Sequence, residues 1–242
     1  MKGRAMTTRN PKEIVRQHYA QVARKQTSCC TDACGCEANY SEAALAELPE
    51  GARLGLGCGN PLALAEWTAL RGATVLDLGA GAGRDCLLAA RQVGPEGRVI
   101  GIDLTPEMVA LARENARKMG VTNVIFREGD ITALPLPDAS VDVVLSNCAI
   151  NLVPDKARAF VEAFRVLRPG GLLLVADLVR QGELPEAWRD DPEAYARCLT
   201  GTIPEADYLA AIEAAGFVVE YVERSVGTGP VVSLQVRARR SP

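Results

Sequence analysis

From Thr74 onward, short apolar runs rich in β-branched residues alternate with stretches whose apolar positions recur every three to four residues. The runs TVLDL (74–78), RVIGIDL (98–104), NVIFREGD (123–130), VDVVLSN (141–147) and GLLLVADL (171–178) read as strands. Between them, RDCLLAARQV (84–93), PEMVALARENARKM (106–119) and DKARAFVEAFRVL (155–167) carry helical spacing. Nearly continuous apolar strands separated by amphipathic helices are what a sheet covered on both faces needs, so the pattern predicts a doubly wound, mostly parallel α/β sheet. Thr105-Pro106 offers a cap and a first-turn proline to one helix, and Gly120 closes it. After Pro204 come a further helix (205–216), a strand (217–223), a turn with Gly227, Gly229 and Pro230, and a last strand (231–238). Those two strands predict an antiparallel hairpin at one sheet edge. Upstream, Ile14, Tyr19 and Val22 suit one face of a helix over 12–25, followed by a Cys-rich loop or clip at 27–41. Residues 1–60 thus read as a helical and Cys-rich cap segment. Residues 61–242 read as the sheet domain, with an insertion around 178–203.

Composition narrows what such a domain does. At 242 residues, 48% hydrophobic and 24% charged, the chain can bury a full core. Its net charge is −3, and the basic ending Arg237, Arg239, Arg240 is short, so no nucleic-acid face is expected. No run of 18 apolar residues exists and Met1–Arg16 lacks a signal-like stretch, which predicts a cytoplasmic protein without a membrane partner. The single histidine, His18, reads as a surface or packing residue and leaves His-ligated metal centres and Ser/His/Asp chemistry without parts. Against that stand eight cysteines, so thiolate chemistry is the first suspect.

The segment VLDLGAGAGRD sets Gly79, Gly81 and Gly83 between the first strand and its helix, where glycine lets a ligand approach backbone amides. Arg84 stands where a dinucleotide fingerprint wants a small residue, which disfavours NAD. Asp103, at the end of the second strand, suits a ribose, and Asp130, after the third, suits an adenine amino group. With Asp77 after the first strand, this order of acids and glycines resembles the S-adenosylmethionine site of class I methyltransferases, whose sheet is Rossmann-like. That resemblance implies cofactor contacts at Asp77, Gly79, Ala80, Gly81, Gly83 and Arg84, and at Leu104, Ile131 and Asn147 beside Asp103 and Asp130.

Cys148 follows the fourth strand, Cys198 sits in the long connection after the fifth, and Cys58 lies between glycines before the first. All three can converge at the carboxyl ends of the strands, where a soft acceptor would be held. Cys86, among LLAA on the first sheet helix, reads as a small core residue. The strings GRDC (83–86), GIDLT (101–105), SNCAINLVPDK (146–156) and RVLRPGG (165–171), with the contexts of Cys58 and Cys198, resemble arsenite S-adenosylmethionine methyltransferases over roughly residues 10–225. The resemblance implies that Cys58, Cys148 and Cys198 are the catalytic thiolates and ligands of trivalent arsenic. It also implies auxiliary capture or redox roles for Cys29, Cys30, Cys34 and Cys36, which as residues suit equally a zinc clip or a disulfide partner for a site thiol. Two departures touch the rim of that site: Leu56 and Tyr195 stand where the family often has an aromatic residue and a tryptophan.

The expected reaction is attack of the arsenic lone pair on the sulfonium methyl, in line and without a general base, in a detoxifying enzyme. Cys58 is expected to be needed only for inorganic arsenite, with Cys148 and Cys198 keeping the methylated product. A thiol reductant, thioredoxin or glutathione, is expected as co-substrate, and the chain as a monomer. The alternatives are a class I methyltransferase with another small-molecule acceptor, and a thiol-based metalloid sensor on the same scaffold.

Overall fold

The computed structural model describes residues 10–26, 40–225 and 229–241. The five parallel strands are β1 (Thr74–Leu78), β2 (Arg98–Asp103), β3 (Val124–Glu128), β4 (Val141–Asn147) and β5 (Leu167–Arg180). They join β6 (Phe217–Arg224) and β7 (Val231–Arg240) in one seven-stranded sheet of order β3-β2-β1-β4-β5-β7-β6. Only β7 runs against the rest, because the hairpin inserts its second strand between β5 and β6. The expected parallel sheet with an antiparallel C-terminal hairpin is therefore present. Chain order reverses between β1 and β4, and a crevice opens there beyond the strand carboxyl ends.

Period-two alternation splits the core. Leu76, Leu78, Ile102 and Val144 face α5 (Lys156–Val166) and α8 (Glu205–Ala214), where Phe160 and Tyr208 meet edge to face at 5.4 Å. Val75, Val143 and Leu145 face α3 (Arg84–Val93), and Ala112 and Ala116 of α4 (Pro106–Met119) join that side. Each fully buried leucine or valine there contributes about 1.5–3 kcal/mol. The same alternation puts Asp77 on the α3 side of β1 and Asp177 of β5 on the α8 side.

Helix α1 (Pro11–Lys25) starts at Asn10, whose side chain accepts from the Lys12 amide at 3.1 Å. It buries Ile14, Val15, Val22 and Ala23 across two neighbouring clusters, against Leu111 and Met108 of α4 and against Tyr195 and Ala196. Residues 42–64, with the short helix α2 (Glu42–Ala46), bury Leu45, Leu48, Ala52 and Leu62 in the core that also holds Leu87. Two local expectations are corrected. Thr105 precedes α4 but its side chain makes no cap bond; its amide instead donates to Asp103 Oδ1 at 2.8 Å. The stretch after residue 178 remains strand to Arg180, and α6 (Glu186–Arg189) and α7 (Pro192–Ala196) follow before Cys198. Among the described residues no helix is long and apolar enough to cross a membrane.

Candidate active site

At the crevice between β1 and β4 lies a cleft enclosing about 980 Å³, solvent included. Its floor is the turn after β1, where Gly79 and Gly81 adopt φ of 74° and 53°. A Cβ on Gly79 would stand 2.4 Å from that of Ala149, so only glycine lets this turn pack on the segment that follows Cys148. Gly83, between Ala82 and Arg84 of the lining, packs on the Phe126 ring, which would stand 2.9 Å from a Cβ at this position.

Asp103 ties the two cofactor-side loops together, Oδ2 accepting from the Gly81 amide and Oδ1 from the Thr105 amide, both at 2.8 Å. Burial pushes its carboxyl up, and those amide bonds work against the rise. Asp77 lies within β1, not after it, and accepts the Cys86 thiol proton at 3.2 Å. Burial, then the charge of Asp85, pushes its carboxyl up to about 8. Cys86 itself is fully buried, as a core residue should be.

Asp130 reaches the cleft and pairs with Lys12 of α1, while Thr132 donates to Oδ1 through its amide at 2.9 Å and its hydroxyl at 2.7 Å. Burial opposes the charge, yet the Lys12 and Thr132 hydrogen bonds win and hold Asp130 below its ordinary range. Ala80, Leu104 and Ile131 line the same cleft, as does Arg84. The Arg84 guanidinium is stacked 4.4 Å over the Tyr40 ring and donates to Asp85 Oδ1 at 3.4 Å.

Because Asp77 is raised above the 3.8 of a free carboxyl, its protonation favours the folded state. That stability is complete below the unfolded value and is lost as pH climbs through about 8. Asp77→Asn keeps the neutral form at every pH. The melting temperature of the variant minus that of the parent should therefore widen between pH 5 and 8 and level off above. A gap that stays flat would mean Asp77 is not the titrating group.

Asn147, expected at the cofactor, lines the cleft but spends its amide on the loop that carries Cys58. Its Oδ1 accepts from the Cys58 amide at 3.0 Å, and Nδ2 donates to Gly59 O at 2.9 Å and Asp85 Oδ2 at 3.0 Å. Gly57, φ 98°, passes so close that a Cβ would meet Asn147 Oδ1 at 2.7 Å.

Of the three candidate thiols, Cys148 lines the cleft, while Cys58 and Cys198 are buried behind it. Cys58 Sγ, Cys148 Sγ and a carboxylate oxygen of Asp177 lie within 4.8 Å of one another. Cys198 approaches differently: its Sγ donates to the Cys148 carbonyl at 3.0 Å. Cys148 and Cys198 both adopt left-handed backbone, φ 60° and 63°, a cost of about 1–3 kcal/mol each that is typical of functional positions. Burial pushes the Cys58 thiol well up, reinforced by its hydrogen bond to Cys148. Asp177 is wholly buried and accepts from Asn151 N at 3.1 Å, Tyr208 OH at 3.0 Å and Leu178 N at 3.0 Å. Burial, then the nearby Cys148, pushes its carboxyl well up.

Asp177, Lys12, Tyr40 and Asp85 escaped the sequence reading. An acid inside the apolar run LLLVADLV was the available signal for Asp177; Tyr40 had none. Of the two departures, Leu56 lines the cleft, whereas Tyr195 is buried against α1 and donates to Leu152 O at 2.9 Å. His18 packs edge-on to Tyr19 on α1. Cys29, Cys30, Cys34 and Cys36 lie outside the described residues, as do 226–228 of the hairpin turn.

A family model described as a methyltransferase domain matches residues 70–216. An arsenite methyltransferase of Halobacterium salinarum is 44% identical over 224 residues, 85% of this chain and 57% of that one. The chain thus spans somewhat over half the length of such curated relatives. A crystal structure of an arsenic(III) S-adenosylmethionine methyltransferase from Chlamydomonas reinhardtii, CrArsM, superposes with a TM-score of 0.65 at 32% identity, covering 86% of this chain and 72% of that one. The [4+2]-cyclase SpnF, 22% identical, matches at a TM-score of 0.64 over 79% of this chain and 81% of its own, which shows the fold alone.

Proposed function

This chain belongs to the arsenite methyltransferase family, and on that footing we propose that it transfers the methyl group of S-adenosylmethionine to trivalent arsenic held on its cysteine thiolates. One observation carries the reading: the Cys58 and Cys148 thiols face each other while Cys148 also lines the cofactor cleft. Donor and acceptor then share one wall.

The cleft fits the cofactor in its residues. Gly79 and Gly81 keep the floor open, and Asp103 and Asp130 stand at the ends of β2 and β3. When bound, S-adenosylmethionine supplies an electrophilic methyl on a sulfonium. The chain's own work is to seat arsenite: each As–S bond forms as a thiol displaces one hydroxyl, and its proton leaves in water. Three such exchanges yield a pyramidal trithiolate whose lone pair is the nucleophile, so no side chain need remove a proton in the transfer. Alignment by rigid loops is the main contribution, in favourable cases up to about 7–11 kcal/mol. Cys58 and Cys148 are already adjacent. Cys198 joins by turning its thiol from the Cys148 carbonyl, and with Cys148 it keeps the methylated product that Cys58 releases. Methyl transfer removes the arsenic lone pair, so return to the trivalent state takes two electrons from a thiol reductant such as thioredoxin or glutathione. We place this chemistry in the cytoplasm, where thiols stay reduced, as arsenic detoxification by a monomer.

The test is a single-turnover assay with reduced protein, arsenite and methyl-labelled cofactor, with arsenic species separated and identified by mass. Labelled methylarsenic supports the reading. Cofactor binding without any methylated arsenic sinks it and leaves a methyltransferase for another acceptor. Asn147→Ala separates the two halves of the site. Arsenite affinity should fall about tenfold, near 1.4 kcal/mol, and cofactor affinity by less. Paired titrations showing the reverse order would return Asn147 to the cofactor.

A further inference from the structure

We propose that Cys58 Sγ, Cys148 Sγ and the Asp177 carboxylate form a site for a thiophilic divalent cation of the zinc and cadmium class, sharing two thiols with the arsenic site but not its third ligand. The three ligand atoms lie within 4.8 Å of one another. A tetrahedral ion with bonds of about 2.3 Å to sulfur sets its ligands roughly 3.8 Å apart, so side-chain shifts of about an ångström close the site.

Arsenite and such a cation want different third ligands. Neutral arsenite condenses with thiols and gains no durable bond from a carboxylate, whereas zinc-like ions take carboxylate oxygen alongside sulfur. Here the atom facing the thiol pair is a carboxylate oxygen, and the Cys198 thiol is directed to the Cys148 carbonyl.

The electrostatics point the same way. Every hydrogen bond to Asp177 among the described residues comes from a neutral donor, namely Asn151 N, Leu178 N and Tyr208 OH. Lys156 is near, but its Nζ donates to the Val153 and Asn151 carbonyls at 3.1 and 3.4 Å. A buried carboxylate without a cation in direct contact is costly when ionised, and a metal ion removes that cost. Binding replaces the two thiol protons with one divalent ion. It therefore tightens as pH rises. An ion held on Cys58 and Cys148 excludes arsenite, and this competition rests on the arsenic reading above; the cation site itself does not.

The test uses this whole chain, reduced, with Cys29, Cys30, Cys34 and Cys36 changed to serine, so that those thiols take no metal. Cadmium is titrated against a chelator while the thiolate-to-cadmium absorbance is followed. One cadmium per chain is expected, bound at least roughly tenfold more weakly after Asp177→Asn and within about threefold of the parent after Cys198→Ser. Cadmium bound equally well by Asp177→Asn overturns the proposal. Should that variant fail to fold, X-ray absorption on the parent's cadmium decides: oxygen together with sulfur in the first shell upholds the site, and an all-sulfur shell overturns it. Cadmium binding in a protein that takes no arsenite would sink the arsenic reading and leave the cation site standing.

Discussion

Cys148→Ser is expected to abolish arsenic methylation, a loss on the order of 10³-fold or more, about 4 kcal/mol in the barrier. Cys148 is the thiol that belongs to both halves of the site, facing Cys58 and lining the cleft. Serine keeps the size and the backbone, including the bond from the residue 148 amide to Ala176 O at 2.8 Å, so the fold should be unchanged. What disappears is one As–S bond, and a hydroxyl exchanges freely with water where a thiolate holds. Calorimetry should show cofactor binding within about threefold of the parent, a change under 0.7 kcal/mol. Methylated arsenic at parental rates from this variant would remove Cys148 from the arsenic site and favour another acceptor.

Gly79→Ala should damage both halves together. The new Cβ would stand 2.4 Å from that of Ala149, at a φ of 74° that L side chains rarely adopt. Left-handed strain and overpacking of this kind cost about 2–4 kcal/mol together. Because Ala149 follows Cys148, relief by moving either loop disturbs the floor of the cleft or the thiol. Chemical denaturation should show the lost stability, and cofactor affinity should fall at least tenfold, about 1.4 kcal/mol or more. Gly120→Ala is the control. It has φ 67° but open space at its Cβ, so it should cost roughly 1–2 kcal/mol of strain while leaving cofactor affinity alone. Similar cofactor affinity for both variants would mean that the contact between Gly79 and Ala149 does not hold the cleft.

Most of the scaffold was legible because local periodicity carries it. The helices over 84–93 and 106–119 begin and end where apolar spacing, Pro106 and Gly120 place them, and the hairpin follows from two alternating strands about a turn. Arg84 and the glycines were recognisable by their distance from β1, since a turn between strand and helix constrains only neighbours. Three glycines at alternate positions look alike in sequence, and only packing shows that Gly83 faces Phe126.

The cysteine contexts were likewise legible, and with them the suspicion of thiol chemistry, because residue type alone restricts which bonds can form. The tertiary structure decided who meets whom. It seated Asp177, from the middle of an apolar strand, against Cys58 and Cys148, which lie 90 residues apart in sequence, and directed the Cys198 thiol at a carbonyl. It bonded Asn147, at the cleft, to the Cys58 loop, and paired Asp130 with Lys12 from a helix more than a hundred residues away. Periodicity speaks for bonds within a strand or a helix. Encounters between distant segments depend on sheet order and on what each loop must pack against, and no local pattern encodes those.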